Sequence, residues 1–152
     1  MSYFKLFKDR QDQYRWTLYA ANHEPIAVPG ESFTRKATAE ANIEIVQRLA
    51  PKAPIHDRTK PDTDGHHGKG GTPEFEVNPD KAGEYRWRLQ SGNNKTIAIS
   101  SEGYKEKSSC IKGVELAKKI APTAKVKDET RGSDGSVVKP TEPTGPRGGR
   151  FA

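Results

Sequence analysis

Apolar residues recur along this chain at two periods. Phe4 and Leu6 alternate with Tyr3, Lys5 and Phe7, and Tyr14, Trp16 and Leu18 alternate with Arg15, Thr17 and Tyr19. A period of two rich in aromatic residues predicts β-strands. Asn22-His23-Glu24 marks a turn into a third short strand around Ile26-Ala27-Val28. The period then changes. Ala39, Ile43, Val46, Leu49 and Ala50 recur at helical spacing until Pro51, which predicts an amphipathic helix with Thr34 as its N-cap. Residues 53–57 follow as a fourth, extended piece.

The same pattern returns 71 residues later. Tyr14-Arg15-Trp16-Thr17-Leu18 recurs as Tyr85-Arg86-Trp87-Arg88-Leu89, Ile26-Ala27 as Ile97-Ala98, and Ala50-Pro51 as Ala121-Pro122. The offset holds without a gap from residues 3–57 to 74–128, with conservative exchanges such as Phe33/Tyr104 and Ile43/Val114 between. Such self-similarity identifies a duplicated module. In the second copy Phe75 and Val77, then Tyr85, Trp87 and Leu89, supply the strands, and Asp80-Lys81-Ala82-Gly83 the turn between them. Cys110, Val114, Ala117, Ile120 and Ala121 supply the helical stripe. One module of this size buries too little surface to stand comfortably alone. Two copies sharing a core in a pseudo-two-fold arrangement meet that difficulty, giving a monomer with an internal pseudo-dimer.

Composition adds to this picture outside the modules. Residues 58–73, with Asp62, Asp64, His66, His67 and four glycines, contain no apolar side chain and predict a flexible linker. Residues 129–152 turn to Gly, Ser, Thr, Pro and charge, which predicts a disordered tail. The 32% apolar content fits a compact core flanked by such stretches. No run approaches the twenty apolar residues of a membrane span, and Met1 to Lys8 lacks the apolar region of a secretory signal. With a single cysteine and no internal disulfide available, the expected location is the cytoplasm.

The residues Lys81-Ala-Gly-Glu-Tyr-Arg-Trp-Arg-Leu89, Ile97-Ala-Ile-Ser-Ser-Glu-Gly-Tyr-Lys105, Ser108-Ser-Cys-Ile-Lys-Gly-Val-Glu115 and Ala121-Pro122 closely resemble the YegP-like proteins of bacteria and archaea, small tandem-repeat proteins of unknown function. Copy one departs from that pattern at Ser32-Phe33 and Ala41-Asn42, where copy two has Gly103-Tyr104 and Lys112-Gly113. The resemblance implies an α+β fold of two tandem β(3)-α-β modules with one shared antiparallel sheet, exchanged C-terminal strands and helices on one face. It also implies that Ile55 and Val126 are buried contacts between modules. It supplies no activity.

Candidate chemistry is sparse. Cys110 aligns with Ala39 on the inner helical stripe and reads as core rather than nucleophile. Asp62, Asp64, His66 and His67 lack the third acid and distal Glu of a calcium loop, so no metal is expected there. Glu31 and Glu102 recur before the helices and read as helix-terminus or backbone-bonding carboxylates. No phosphate loop, catalytic triad order or HExxH occurs, so neither an enzyme nor a cofactor is expected. Trp16, Leu18, Trp87 and Leu89, with Ile43, Val46, Cys110 and Val114, form the expected core.

Two functional expectations follow. The first is a non-enzymatic structural or interaction module with a protein partner and no membrane partner. The second is weak single-stranded nucleic-acid binding by the sheet face opposite the helices, through Arg15, Tyr19, Arg86 and Arg88, aided by Arg147 and Arg150 of the tail. The net charge of +6 is spread over all segments, without a polybasic block.

Overall fold

A computed structural model of the chain describes residues 1–59, 72–93 and 95–130. The first module contributes β1 (Tyr3–Lys8), β2 (Tyr14–Tyr19), β3 (Pro25–Pro29), α1 (Lys36–Leu49) and β4 (Ile55–Asp57). The second contributes β5 (Glu74–Pro79), β6 (Tyr85–Gln90), β7 (Thr96–Ser100), α2 (Lys107–Ile120) and β8 (Lys125–Asp128). Most of the linker and tail expectations, with His66, His67, Arg147 and Arg150, lie outside the described residues.

The eight strands of the described residues form one sheet in the order β4-β5-β6-β7-β3-β2-β1-β8. Read from either edge, this is the same succession of equivalent strands. The modules meet at the antiparallel pair β3 and β7, where Val28 stands opposite Ile99. Each C-terminal strand crosses to the other module: β4 pairs with β5, and β8 with β1. Both of these pairings are parallel, so the sheet is mixed rather than wholly antiparallel. The meanders turn through short connections and must alternate direction, whereas a strand returning after a helix is free to run alongside the strand it joins.

Cross-strand register puts Phe4, Leu6, Trp16, Leu18, Ala27, Ala98, Leu89, Trp87, Phe75 and Val77 on one face. Helix α1 covers β1, β2 and β7 there, and α2 covers β5, β6 and β3, so each helix reaches across the junction. Ile43, Val46, Cys110 and Val114 meet this face in a single buried cluster with Trp16, Leu18, Trp87 and Leu89. Burying a side chain of Val to Phe size stabilises by about 1.5–3 kcal/mol. A core built from both copies therefore holds them as one body. Ile26 and Ile97 sit at matching register shifts, between Leu18/Tyr19 and Leu89/Gln90, and join that cluster.

The exchanged strands are tied by reciprocal contacts. Lys36 of α1 pairs with Asp128 at 2.5 Å, and the equivalent Lys107 of α2 pairs with Asp57 at 2.9 Å. Gln47 donates to the Ala124 carbonyl at 3.0 Å, and its equivalent Lys118 donates to the Ala53 carbonyl at 2.6 Å. Thr59 and Thr130 donate to the same two aspartates. Burial pushes the Asp57 carboxyl up, but hydrogen bonds from Thr59 and Lys107 outweigh this and leave it below its ordinary value. At Asp128 burial again opposes, and Lys36 and Thr130 again prevail to lower it.

Two local expectations are corrected. Helix α1 starts one residue beyond Arg35, which occupies the capping position in extended conformation without a side-chain hydrogen bond, so Thr34 is not the cap. Val126 is 43% exposed rather than buried, and Ile55 is half-buried. Strand β8 forms the sheet's edge, and each of its four residues is exposed.

Candidate functional site: the helix-free sheet face

Alternation along the strands sends Tyr3, Lys5, Phe7, Arg15, Thr17 and Tyr19 to the face opposite the helices in the first half. Glu74, Glu76, Asn78, Arg86, Arg88 and Gln90 occupy the equivalent places in the second. The helix face is repeated nearly residue for residue, yet this face has diverged.

In the second half the charges neutralise one another. Arg88 Nε donates to Glu76 Oε1 at 2.8 Å, and Arg58, just after the exchanged β4, approaches Glu76 Oε2 at 3.3 Å. Arg88 also donates to Thr96 Oγ1 at 2.6 Å. Gln90 donates to Glu74 and Glu76. Glu76 is only 2% exposed, so its two guanidinium partners are what make its burial tolerable.

The first half has no such acid. Tyr3 and Tyr19 stack with ring centroids 5.1 Å apart, and Lys127 of the exchanged β8 places its Nζ 4.8 Å from the Tyr3 centroid. Lys5 lies 5.9 Å from the Phe7 ring centre. Tyr3 pairs with Lys125 and Lys5 with Lys127 in the parallel register, which puts three lysines on one patch. Among the described residues none of these lysines has a carboxylate partner. Like charges directly opposite on a sheet destabilise it. An incoming anion would relieve that repulsion.

Of the four structured residues named from sequence, Arg15 and Arg86 come together at one cavity, which Arg88 and Tyr19 do not line. Arg15 and Arg86 each donate through Nε to Asp9 and Asp80, at 3.0 and 3.1 Å. Those aspartates also accept backbone N–H groups of the β1–β2 and β5–β6 turns. The bonds from the turn, first that of the Glu84 amide, hold the Asp80 carboxyl below its ordinary value against an opposing burial effect. Arg15 and Arg86 share one cavity of about 220 Å³ at the module junction, lined also by Val28, Pro29, Glu31 and Ile99. Glu31 pairs with Lys95 at 3.8 Å, so the charges around this cavity are matched by opposite neighbours. Arg88 is held by Glu76. Tyr19 is 4% exposed beneath Tyr3 and offers no open ring for a base.

Lys125 and Lys127 were not singled out from the sequence, because they lie more than a hundred residues from Tyr3 and Lys5. The exchange implied by the family resemblance was the signal that could have found them. Elsewhere, burial raises the Cys110 thiol to about 11, leaving it protonated at neutral pH. No three His, Cys, Asp or Glu side chains gather as a metal site among the described residues. No described helix is long and apolar enough to cross a membrane.

Comparison with known proteins agrees with the duplicated architecture. The family described as "Domain of unknown function (DUF1508)" matches twice, at residues 9–57 and 80–128. The chain belongs to this family. A UPF0339 protein of Bordetella pertussis is 31% identical over 131 residues, covering 86% of this chain and 99% of that one. A UPF0339 protein of Methanosarcina acetivorans is 46% identical over 52 residues, 34% of this chain and 88% of its own length, and so is about one module long. For a relative from Stutzerimonas stutzeri the identity is 49% over 61 residues, 40% of this chain and 54% of the relative. Among solved structures, Escherichia coli YegP, a protein of unknown function, superposes with a TM-score of 0.64 at 24% identity, covering 84% of this chain and 91% of that one. A UPF0339 protein of Shewanella oneidensis gives 0.63 at 22% identity, covering 84% and 90%. These likenesses establish the YegP-like tandem fold. They carry no activity across.

Proposed function

We propose that this DUF1508 protein is a non-enzymatic interaction module whose working surface is the helix-free face of its first half, and that its partner is a protein presenting an acidic segment. The divergence of this face between the copies carries the reading. Duplicated residues on the helix face serve the shared core. On the opposite face the second half of the sheet pairs Glu76 with Arg88 and Arg58, while the first half, which receives β8 from the second module, leaves Lys5, Lys125 and Lys127 beside an aromatic floor. Residues freed from the demands of packing are those in which a binding surface arises.

A protein is favoured over single-stranded nucleic acid by two observations. Of the arginines expected to meet phosphates, Arg15, Arg86 and Arg88 are committed to Asp9, Asp80 and Glu76. The Tyr19 ring is buried, and Tyr3 is flanked by Tyr19 and Lys127, which leaves little ring surface for base stacking.

The test is an amide NMR titration with a glutamate-rich peptide and, separately, with single-stranded RNA of equal charge, each at low and physiological salt. Saturable shifts clustered at Tyr3, Lys5, Lys125 and Lys127 with the peptide, and weaker ones with RNA, are expected. Tighter RNA binding at those residues would replace the protein partner by a nucleic acid. Shifts confined to the second half, or none at all, would overturn the surface assignment.

A further inference from the structure

Strand β8 combines three features that belong together. Among the described residues it is the terminal strand of the sheet, and no described strand lies on the other side of its backbone. Its residues alternate in direction: Lys125 and Lys127 stand on the helix-free face, and Val126, opposite Phe4, on the other. Among the described residues Val126 is also the large apolar side chain within a helix or strand that is left exposed, at 43%.

The hydrogen bonding fixes which residues face outward. Glu129 N–H donates to the Leu6 carbonyl, and at the equivalent place in the other half Arg58 N–H donates to the Val77 carbonyl. By alternation in a parallel pair, Lys125 and Lys127 turn their backbone groups toward β1, and Val126 and Asp128 turn theirs to the open edge. An exposed strand edge is a template for a further strand.

From this we infer that β8 receives an extended segment of the partner as a ninth strand, with acidic side chains opposite Lys125 and Lys127 and an apolar one between them against Val126. The inference rests on the proposed protein partner and adds its mode of docking. Main-chain hydrogen bonds to Val126 and Asp128 supply attachment, and the alternating side chains supply selection. The lysines decide the occupant. They repel the same edge of a second copy and attract a segment of opposite charge, so the feature that blunts this edge against self-association also selects its partner. The opposite edge lacks this chemistry, since Pro54 and His56 of the first module stand where β8 has Lys125 and Lys127.

The experiment uses the full chain and a blocked hexapeptide alternating glutamate and valine. Its controls are a peptide of equal charge with proline in place of valine, which cannot donate the ladder bonds, and a lysine–valine peptide. Binding should slow hydrogen exchange at the Val126 and Asp128 amides and weaken at least tenfold with the proline peptide. The double variant K125E/K127E should lose the glutamate peptide and gain the lysine one, and these exposed positions leave folding intact. Equal binding of the proline peptide, with shifts at Tyr3 and Lys5 but no protection at Val126, would overturn the added strand and leave the proposed surface standing. No binding by any acidic peptide would remove both. Protection of the β8 edge in the free protein that disappears on deleting residues 131–152 would show the chain's own tail in that place, and would also overturn the inference.

Discussion

Trp16 donates its indole N–H to Asn42 Oδ1 at 2.6 Å, tying β2 to α1 inside the core. The second module solves the same problem differently. Gly113 replaces the asparagine and Tyr104 replaces Phe33. A Cβ on Gly113 would come within 2.6 Å of the Tyr104 hydroxyl and 3.3 Å of Trp87 Nε1, so the tyrosine occupies the room that Asn42 uses. The Trp87 N–H faces that hydroxyl without a well-aligned bond. Burial pushes the Tyr104 hydroxyl up to about 12.

These paired exchanges should behave as units. Asn42→Gly alone strands the Trp16 N–H and opens a void, at a cost of about 1–3 kcal/mol. Phe33→Tyr alone drives a hydroxyl into Asn42 and also destabilises. The double variant recreates the second module's arrangement and should recover most of the loss. Urea melts of the four proteins check this, with strong favourable coupling as the expected result.

Acid should loosen the crossing strands. Asp57 and Asp128 are lowered below the ordinary value of 3.8. A carboxylate lowered by folding contributes fully above its unfolded pKa, and that contribution is lost as pH falls through the folded value. Stability should therefore drop below about pH 4. Asp57→Asn and Asp128→Asn should each flatten that acid limb in melting temperatures measured against pH. The effect should be larger for Asp57, whose side chain is 18% exposed, than for Asp128 at 40%.

Cys110 should be inert. Its side chain is fully buried and its thiol is pushed up to about 11, chiefly by that burial. A disulfide reagent at neutral pH should react only in step with global unfolding. Rapid stoichiometric reaction with the native protein would contradict the buried assignment.

Much of this fold was legible because its determinants are periodic and doubled. Alternation at Phe4, Leu6, Trp16 and Leu18, and helical spacing at Ile43 and Val46, report the side of an element that faces the core. The copy at Phe75, Val77, Trp87 and Leu89 repeats the message. The edge was not legible in this way. Val126 has the composition of a buried strand residue, and its exposure follows from β8 being outermost, which is a property of strand order. The ion pairs of the arginines went unread for another reason. Arg15 and Arg86 each follow an aspartate by six residues, and the hairpin folds that aspartate back onto the guanidinium. The recurring spacing was visible in the sequence. Pairing Lys5 with Lys127 requires the crossing of β8 to be known first.

A single surface built by residues from both modules requires the crossing strands to make one folding unit. Each module carries one tryptophan, Trp16 and Trp87, both in the shared core. A urea titration following the two indole N–H resonances in the unmodified protein reads both modules at once. Folding as one unit predicts that both native signals disappear with the same midpoint and slope. Two separate midpoints would show modules that fold independently and would contradict it.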